Sequence, residues 1–256
     1  MENDNLSSED RYRAPALDKG LDILEVLADQ ARGLTRAEIV KELGLSPSQI
    51  YRMLERLVAR GYVSRDEGGD RYALTMKMFQ IASRHPPQRR LVAQAQPLMD
   101  IFARETRQSC HLVMPEQGKA TVVAQASPNG HWEFRARIGA QLELFNSGSG
   151  LTLLAFQEND KQLETLSRWG VLDGAKHLRD HQDHLAQVRK LGVRIAPSRH
   201  LVGVTDISLP VFGHAEEIVA VLTCAFIQHP DEDNDSSIEA AASKLKSLAA
   251  SISWSA

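Results

Sequence analysis

The sequence predicts an α+β protein with an N-terminal winged helix-turn-helix, a linker helix and a C-terminal domain built on an antiparallel sheet. Two closely spaced helix starts precede a Gly-Gly hairpin, two prolines precede a long apolar-striped helix, and strand-length segments then alternate with helical ones. The 256 residues suffice for two domains. We assign residues 1–13 to a disordered N-terminus, 14–84 to the first domain, 85–106 to the linker helix and 107–256 to the second domain.

The first domain begins with two short helices. Apolar residues at helical spacing predict a bracing helix over residues 16–30. Thr35 and Glu38 have the spacing of a capping box, in which each side chain bonds the backbone N–H of the other residue. Gly44 tolerates the positive φ that closes a helix. The sequence therefore predicts a second helix between Thr35 and Gly44.

A third helix follows a tight turn and leads into a hairpin. Ser46 and Gln49 repeat the capping-box spacing, and Pro47 stands at the first helical position, where its missing N–H costs nothing. Gly61 ends this helix, and alternating residues over 62–74 flank a Gly-Gly turn that indicates a wing. Two helices joined by a Gly-containing turn form a helix-turn-helix.

The third helix has an apolar face from Ile50 to Val58 and an opposite face of short polar, Gln and Arg side chains. In the major groove of DNA, Arg can pair with guanine and Gln with adenine. Arg65 and Arg71 flank the wing turn and would contact the DNA backbone or minor groove. By itself the helix is typical of any amphipathic helix, but the neighbouring helix and wing favour DNA binding. The candidate DNA-binding residues are Thr35, Arg36, Ser46, Pro47, Ser48, Gln49, Tyr51, Arg52, Arg56, Arg65 and Arg71.

Charge is distributed unevenly along the chain, whose net charge is −3. Residues 11–90 hold 15 Lys and Arg against 10 Asp and Glu, whereas residues 91–256 hold 15 against 19. A basic N-terminal part joined to an acidic remainder is typical of a nucleic-acid reader attached to a sensor. The excess is modest, so one copy would bind DNA weakly and we expect a homodimer on the double-stranded operator.

Composition excludes several classes of protein. A hydrophobic content of 43% supports real cores, yet no stretch approaches the ~20 apolar residues of a membrane span. The start of the chain is polar and acidic, unlike a signal peptide. Two cysteines, Cys110 and Cys224, are too few for a disulfide framework. We therefore expect a reduced, cytoplasmic protein without a membrane partner.

The rest of the chain alternates between helical and strand-like segments. The pair Pro86–Pro87 breaks the pattern, and a linker helix is predicted over about 88–106, where it would also form a dimer contact. Strands are predicted at residues 110–115, 120–126, 132–138, 204–212 and 218–227. Helices are predicted at residues 148–157, 160–169, 178–191 and 236–252.

The order of motifs resembles that of the IclR-type transcriptional regulators. The match opens with Ala16-Leu-Asp-Lys-Gly, passes through Tyr51-Arg-Met-Leu and closes the wing with Arg71-Tyr-Ala-Leu. It continues in the second domain with Ser147-Gly-Ser-Gly and Gly203-Val, so it covers nearly the whole chain. The resemblance implies a winged helix-turn-helix, a GAF-like effector-binding domain, dimers or dimers of dimers, and control by a small organic metabolite.

The resemblance also implies an effector site in the second domain. The Ser147–Ser149 loop precedes a predicted helix, where N–H groups, hydroxyls and the helix dipole suit an anion, although a plain N-cap loop has the same composition. Asp206 is a carboxylate on an otherwise apolar strand, so it needs ligand hydroxyls, a cation or an arginine as its partner. The implied effector-binding residues are Phe134, Ser147, Gly148, Ser149, Asp206, Thr223 and Ala225.

The chain also departs from the family's pattern. Gly150-Leu151-Thr152 stands where many members have Gly-Lys-Ala, and Arg199-His200 stands where an acidic residue is common. These departures and Asp206 weaken the transfer of a simple keto-acid effector. Acidic, aromatic and polyhydroxylated metabolites all stay open.

Two other patterns do not lead to a site. His177, His181 and His184 share one helix face, but the stretch is polar all round, indicates an exposed helix and offers no further ligand, so no metal is predicted. Cys110 and His111 are strand neighbours whose side chains point to opposite faces, which favours packing over catalysis. No catalytic residue and no cofactor is predicted.

We therefore interpret the chain as a ligand-responsive transcriptional regulator that binds operator DNA and senses a small organic metabolite, and not as an enzyme. Two alternatives stay open. One is a metabolite-converting enzyme that turns over a ligand in the sensor pocket, with the winged helix as an accessory. The other is an interaction module whose winged helix binds protein.

Overall fold

The structure is a computed structural model in which the chain divides into two compact units, Met1–Pro86 and Pro87–Ala256. The predicted disordered N-terminus, residues 1–13, lies outside the described part. Within that part, no helix is both long and apolar enough to cross a membrane. The described residues are 14–66, 68, 70–82, 84, 86–128, 134–228 and 237–253.

The elements of the N-terminal unit are α1 (Pro15–Ala28), β1 (Leu34–Thr35), α2 (Arg36–Leu43), α3 (Pro47–Ala59), β2 (Val63–Arg65), β3 (Arg71–Leu74) and α4 (Lys77–Ala82). Helices α1, α2 and α3 pack together, and the strands form a small antiparallel sheet of order β1-β3-β2. Residues from the helices and the wing share one core, in which Ile23, Ile39, Ile50, Leu54 and Tyr72 are almost fully buried. The predicted winged helix-turn-helix is therefore confirmed.

One of the two predicted capping boxes forms. Thr35 Oγ1 accepts a hydrogen bond from the Glu38 N–H at 3.3 Å, and Glu38 Oε2 accepts one from the Thr35 N–H at 2.7 Å. The second box, between Ser46 and Gln49, is wrong because Ser46 makes no side-chain cap at the start of α3. Its hydroxyl lies 3.3 Å from that of Ser48, a local contact that competes with capping.

The C-terminal unit combines helices with a six-stranded sheet. Its helices are α5 (Pro86–Thr106), α6 (Gly148–Phe156), α7 (Asn159–Arg168), α8 (Gly174–Leu191) and α9 (Ile238–Ile252). Its strands are β4 (Ser109–Glu116), β5 (Lys119–Ala126), β6 (Gln141–Glu143), β7 (Arg194–Pro197), β8 (Val204–Phe212) and β9 (Ile218–Ile227). The strand order is β6-β5-β4-β9-β8-β7, and every neighbouring pair is antiparallel. The predicted α+β class is confirmed.

Apolar layers cover both faces of this sheet. On one face, Met99 of α5 and Leu245 of α9 belong to a core that also includes Leu222 of β9. On the other face, Leu154 of α6 and Leu185 of α8 belong to a second core. Strands β8 and β9 lie inside the sheet and are buried on both faces, and their sequences are accordingly almost all apolar. The few polar residues on them therefore stand out.

The structure departs from the predicted elements at several points. Residues 134–138 of the predicted strand 132–138 are not in a strand, because Gly139 and Ala140 take the backbone hydrogen bonds of Val122 on β5; residues 132–133 lie outside the described part. The short edge strands β6 and β7 were not predicted. The linker helix begins at Pro86 instead of after the prolines, since proline fits the first turn of a helix.

Candidate functional site

The polar face of α3 is presented to solvent by burial of its apolar face. Ile50 and Leu54 are fully buried, whereas Tyr51 is 45% exposed. Because the start of α3 follows a tight turn, its first residues project from the unit together. The predicted DNA-binding residues that are exposed are Ser46, Pro47, Ser48, Tyr51, Arg52, Arg56, Arg65 and Arg71, and the half-buried ones are Thr35, Arg36 and Gln49.

Arg36 of α2 and Tyr51 of α3 form one contact across the helix-turn-helix. The Arg36 guanidinium carbon lies 4.9 Å from the centre of the Tyr51 ring, a cation–π geometry. Arg36 Nε is buried and has no hydrogen-bond partner within the described residues. The stacked pair therefore holds the Tyr51 ring in place and restrains the guanidinium beside α3.

The two wing arginines are both held by their own unit. Arg71 Nη1 donates to the Gly33 carbonyl at 2.9 Å and lies 3.5 Å from Glu38 Oε2. The Arg65 guanidinium carbon lies 5.7 Å from the centre of the Tyr72 ring. Both side chains keep exposed surface, so their contact with DNA stays a prediction, but Arg71 also fastens the wing to the start of α2.

In the C-terminal unit, a cavity of about 300 Å³ lies between the sheet and the start of α6. It has an apolar wall that includes Val122, Ala136, Leu142 and Val204, and a polar wall that includes His111. The sequence-predicted effector residues were drawn from four separate segments, and all of them line this cavity: Phe134, Ser147, Gly148, Ser149, Asp206, Thr223 and Ala225.

A chain of buried hydroxyl groups forms the polar wall. Ser149 Oγ lies 2.9 Å from Thr223 Oγ1, which lies 2.9 Å from Ser208 Oγ. His111 Nε2 is 3.5 Å from Ser149 Oγ, and burial lowers the pKa of this histidine to about 4, so the ring is neutral near pH 7. Hydroxyls can rotate to donate or accept, so this wall can bind either kind of ligand atom.

Some polar groups of the Ser147–Ser149 loop hold the loop in the fold, and others have no partner within α6. Ser147 Oγ accepts from the Gly150 N–H at 3.0 Å and donates to the Glu143 carbonyl at 2.8 Å, so this hydroxyl serves as the N-cap of α6. Gly148 and Ser149 occupy the first two helical positions, whose N–H groups have no acceptor inside a helix. These N–H groups, and not the Ser147 hydroxyl, are the donors left for an anion.

Asp206 is 7% exposed, on the buried strand β8. Burial raises the pKa of its carboxyl, and the Ser198 hydroxyl and the Arg194 and His200 side chains oppose that rise. Arg194, at the start of β7, is only 4% exposed, and its Nε donates to His184 Nε2 at 3.2 Å. From the sequence we predicted that Asp206 needs an arginine, a cation or ligand hydroxyls as its partner. Arg194 is an arginine whose charge acts on the Asp206 carboxyl.

Several residues of the site were missed by the sequence reasoning. His111, Ser198 and His200 line the cavity, and Arg194 lies behind it. His111 had a usable signal, because strand alternation places it on the face opposite the core residue Cys110. Arg194 had only the weaker signal of a charged residue in a short strand segment.

The three histidines on one face of α8 were predicted to be exposed, and this prediction is wrong because they pack against other parts of the unit. His177, His181 and His184 are half-buried; the first two lie against the Phe145 ring at 5.0 and 5.5 Å between centroids. An aromatic neighbour and the Arg194 contact explain their burial. Among the described residues there is no group of three or more His, Cys, Asp or Glu side chains that could hold a metal ion.

Comparison with known families assigns both halves of the chain. Residues 16–67 match the IclR helix-turn-helix domain, and residues 87–254 match the family described as "Bacterial transcriptional regulator IclR C-terminal".

Individual relatives are distant but nearly full-length. The chain is 23% identical to the HTH-type transcriptional regulator KdgR of Escherichia coli, over 80% of this chain and 79% of that protein. It is 28% identical to the HTH-type transcriptional regulator BhcR of Paracoccus denitrificans, over 84% and 78%. The crystal structure of an IclR homologue of Microbacterium hydrocarbonoxydans complexed with 4-hydroxybenzoate superposes with a TM-score of 0.74, at 22% identity, covering 93% of this chain and 97% of that one.

Proposed function

Because this chain belongs to the IclR family of bacterial transcriptional regulators, we propose that it binds operator DNA and changes its affinity when a small organic acid enters the C-terminal cavity. In this proposal residues 14–84 bind DNA, 85–106 link the domains, and 107–256 bind the effector. The relatives are named as regulators, which argues against the metabolite-converting enzyme as the alternative.

The convergence in the cavity is the observation that carries the proposal. Gly148 and Ser149 at the start of α6, Thr223 and Asp206 line one space that also has an apolar wall. A cavity of about 300 Å³ suits a compact metabolite, and its few polar groups would fix the ligand's orientation.

We infer that a hydroxyl or ammonium end of the effector lies at Asp206, whose Oδ2 is 3.0 Å from the position of a β-carbon on Gly148 at the start of α6, and that the acidic end lies away from this carboxylate. An ionised carboxylate accepts hydrogen bonds only and repels a second carboxylate. Phe134 and Ala225, which also line the cavity, would contact the apolar middle of the ligand. One structural neighbour binds 4-hydroxybenzoate, a molecule with such a carboxylate and such a hydroxyl, and this makes it a sensible first probe.

At the DNA, α3 would enter the major groove with Gln49, Tyr51 and Arg52 directed at base edges. The exposed polar face of α3 and its capped predecessor α2 support this orientation. The basic surplus of residues 11–90 is small, so we propose that a dimer or a dimer of dimers presents two or more such helices to successive grooves.

The DNA part of the proposal is tested by selecting bound duplexes from a random pool and titrating Arg52→Ala against the winner. If Arg52 pairs with a guanine, its loss costs about 1–3 kcal/mol on the selected duplex. Arg60→Ala is the matched control, because it removes an equal charge from the far end of α3. Equal affinities in Arg52→Ala and Arg60→Ala would contradict direct readout, and salt-independent binding would favour a protein-interaction module.

The effector part is tested by thermal unfolding of the full chain with a panel of organic acids, phenolics and sugar acids. A ligand present at 100 times its Kd stabilises the folded state by about 2.7 kcal/mol. Asp206→Ala should lose that stabilisation while keeping its DNA affinity. Stabilisation that persists undiminished in Asp206→Ala would place the ligand elsewhere.

A further inference from the structure

Arg194 lies behind the cavity and not in its wall. Nη1 of Arg194 and Oδ2 of Asp206 each lie 3.0 Å from the position that a β-carbon on Gly148 would occupy. The two atoms are therefore no more than about 6 Å apart, a separation at which an opposite charge favours the ionised form of a carboxylate. A β-carbon at residue 148 would therefore crowd both side chains where they approach the start of α6.

The guanidinium is fixed from its other side. Its Nε donates to His184 Nε2, which must therefore be the unprotonated nitrogen of that ring. Burial, followed by the charge of Arg194, lowers the pKa of His184, which keeps this acceptor free. Arg194 Nη1 is buried and has no hydrogen-bond partner within the part of the chain that the structure describes. Burial disfavours the charged form of Arg194, and the nearby Asp206 carboxylate favours it.

We propose that Arg194 is a positioning residue that keeps Asp206 as an anion and thereby makes this end of the cavity select a ligand hydroxyl or ammonium over a ligand carboxylate. The inference deepens the proposed function and rests on it. Arg194 acts through Asp206, because the side chain that faces the ligand space is the carboxylate and not the guanidinium. A protonated Asp206 would instead donate a hydrogen bond, so a ligand carboxylate could bind beside it.

The other titratable groups around Asp206 leave Arg194 as its permanent counter-charge. His200, in the loop after β7, is exposed, and its effect on the pKa of Asp206 is smaller than that of Arg194. His111, across the cavity on β4, stays neutral because burial lowers its pKa to about 4. Cys224, on the adjacent strand β9, stays neutral because burial raises its pKa.

The first test needs no ligand. The titration of Asp206 is followed in the full chain by carbon-13 NMR of labelled aspartate carboxyls, with Asp206→Asn identifying the signal. We expect the titration midpoint to rise in Arg194→Gln, to stay near the wild-type value in Arg194→Lys, and to be unchanged in the control Arg199→Gln, which removes an exposed charge from the same segment. A midpoint in Arg194→Gln equal to that of the wild type would overturn the proposal.

The second test uses two matched probes, 4-hydroxybenzoate and terephthalate, which differ only in a hydroxyl or a carboxylate at one end. Wild type and Arg194→Lys should prefer the hydroxyl probe by more than about tenfold, and Arg194→Gln should lose most of that preference as the pH falls. A selective loss of terephthalate binding in Arg194→Gln would instead mean that Arg194 binds the ligand anion directly, and would overturn the proposal.

The two tests separate this inference from the proposed function. If Arg194→Gln does not fold, the Arg194→Gln/Asp206→Asn double variant, which removes both charges, replaces it in the probe titration and should show no pH dependence of the preference. Wild-type protein that binds neither probe overturns the ligand selectivity, while the NMR titration still decides the role of Arg194. Selection of operator DNA is unaffected by either result.

Discussion

Replacing Thr223 with valine removes the middle member of the buried hydroxyl chain while keeping the side chain's shape. Thr223 Oγ1 is 2.9 Å from both Ser149 Oγ and Ser208 Oγ, and these two serines are 2% and 0% exposed. Each lost hydrogen bond contributes about 0.5–1.5 kcal/mol, and a buried hydroxyl left without a partner costs about 1–3 kcal/mol. Ser149 keeps its His111 contact, so the expected loss in the free energy of unfolding is about 2–4 kcal/mol.

Urea unfolding followed by tryptophan fluorescence measures this loss in the C-terminal unit, because the sequence has no tryptophan before residue 87 and Trp169 lies within that unit. Thr223→Ser is the control: it keeps the hydroxyl and removes one methyl group, for about 1 kcal/mol. If Thr223→Val unfolds at the same urea concentration as the wild type, the hydroxyl chain does not stabilise the C-terminal unit, and a Thr223→Val variant no less stable than Thr223→Ser would contradict the expected loss of about 2–4 kcal/mol.

Three further predictions test other parts of the structure. Gly150→Ala should destabilise the C-terminal unit severely in urea unfolding, since its β-carbon would lie 2.3 Å from the Leu144 carbonyl oxygen; Gly20→Ala, with nothing within 4 Å, should be neutral or stabilising. Arg71→Ala should lower the thermal stability of the N-terminal unit as well as its DNA affinity, so unchanged stability would contradict the tie to Gly33. The pKa of His111 is about 4 in the folded protein and near 6.5 in the unfolded chain, so between these pH values the unfolded chain binds one more proton. The free energy of unfolding should therefore fall by on the order of 3 kcal/mol as the pH is lowered from about 6.5 to about 4. His111→Gln should show a smaller fall over the same pH range.

Features set by neighbouring residues were predictable from the sequence. The Thr35–Glu38 capping box was found because both partners lie within one helical turn. Strands β8 and β9 were found almost to the residue because they are apolar on both faces. In contrast, β6 and β7 are three and four residues long and lie at the sheet edges, where few residues are buried and no apolar pattern develops.

The residues of the candidate site also fall into those with a local signal in the sequence and those without one. Its loop and its carboxylate were implied by the family resemblance, and the Ser-Gly-Ser composition and the aspartate on an apolar strand added a weaker physical signal from the residues themselves. The approach of Arg194 and Asp206 to Gly148 involves residues of three separate elements, β7, β8 and α6. These elements come together only when the sheet has formed and α6 has packed on it. The burial of the α8 histidines has the same origin, since Phe145 lies in a different segment.

The proposed regulation requires that a ligand in the C-terminal cavity change DNA binding by the N-terminal domain. The deciding measurement is a titration of the selected duplex with wild type and Asp206→Ala, each with and without a ligand found in the unfolding screen. We expect the ligand to change the wild-type affinity by about 5–150-fold, the range of ordinary allosteric coupling, and to leave the Asp206→Ala affinity unchanged. A ligand that stabilises the wild type but does not alter its DNA affinity, or an Asp206→Ala variant that responds like the wild type, would rule out this regulation.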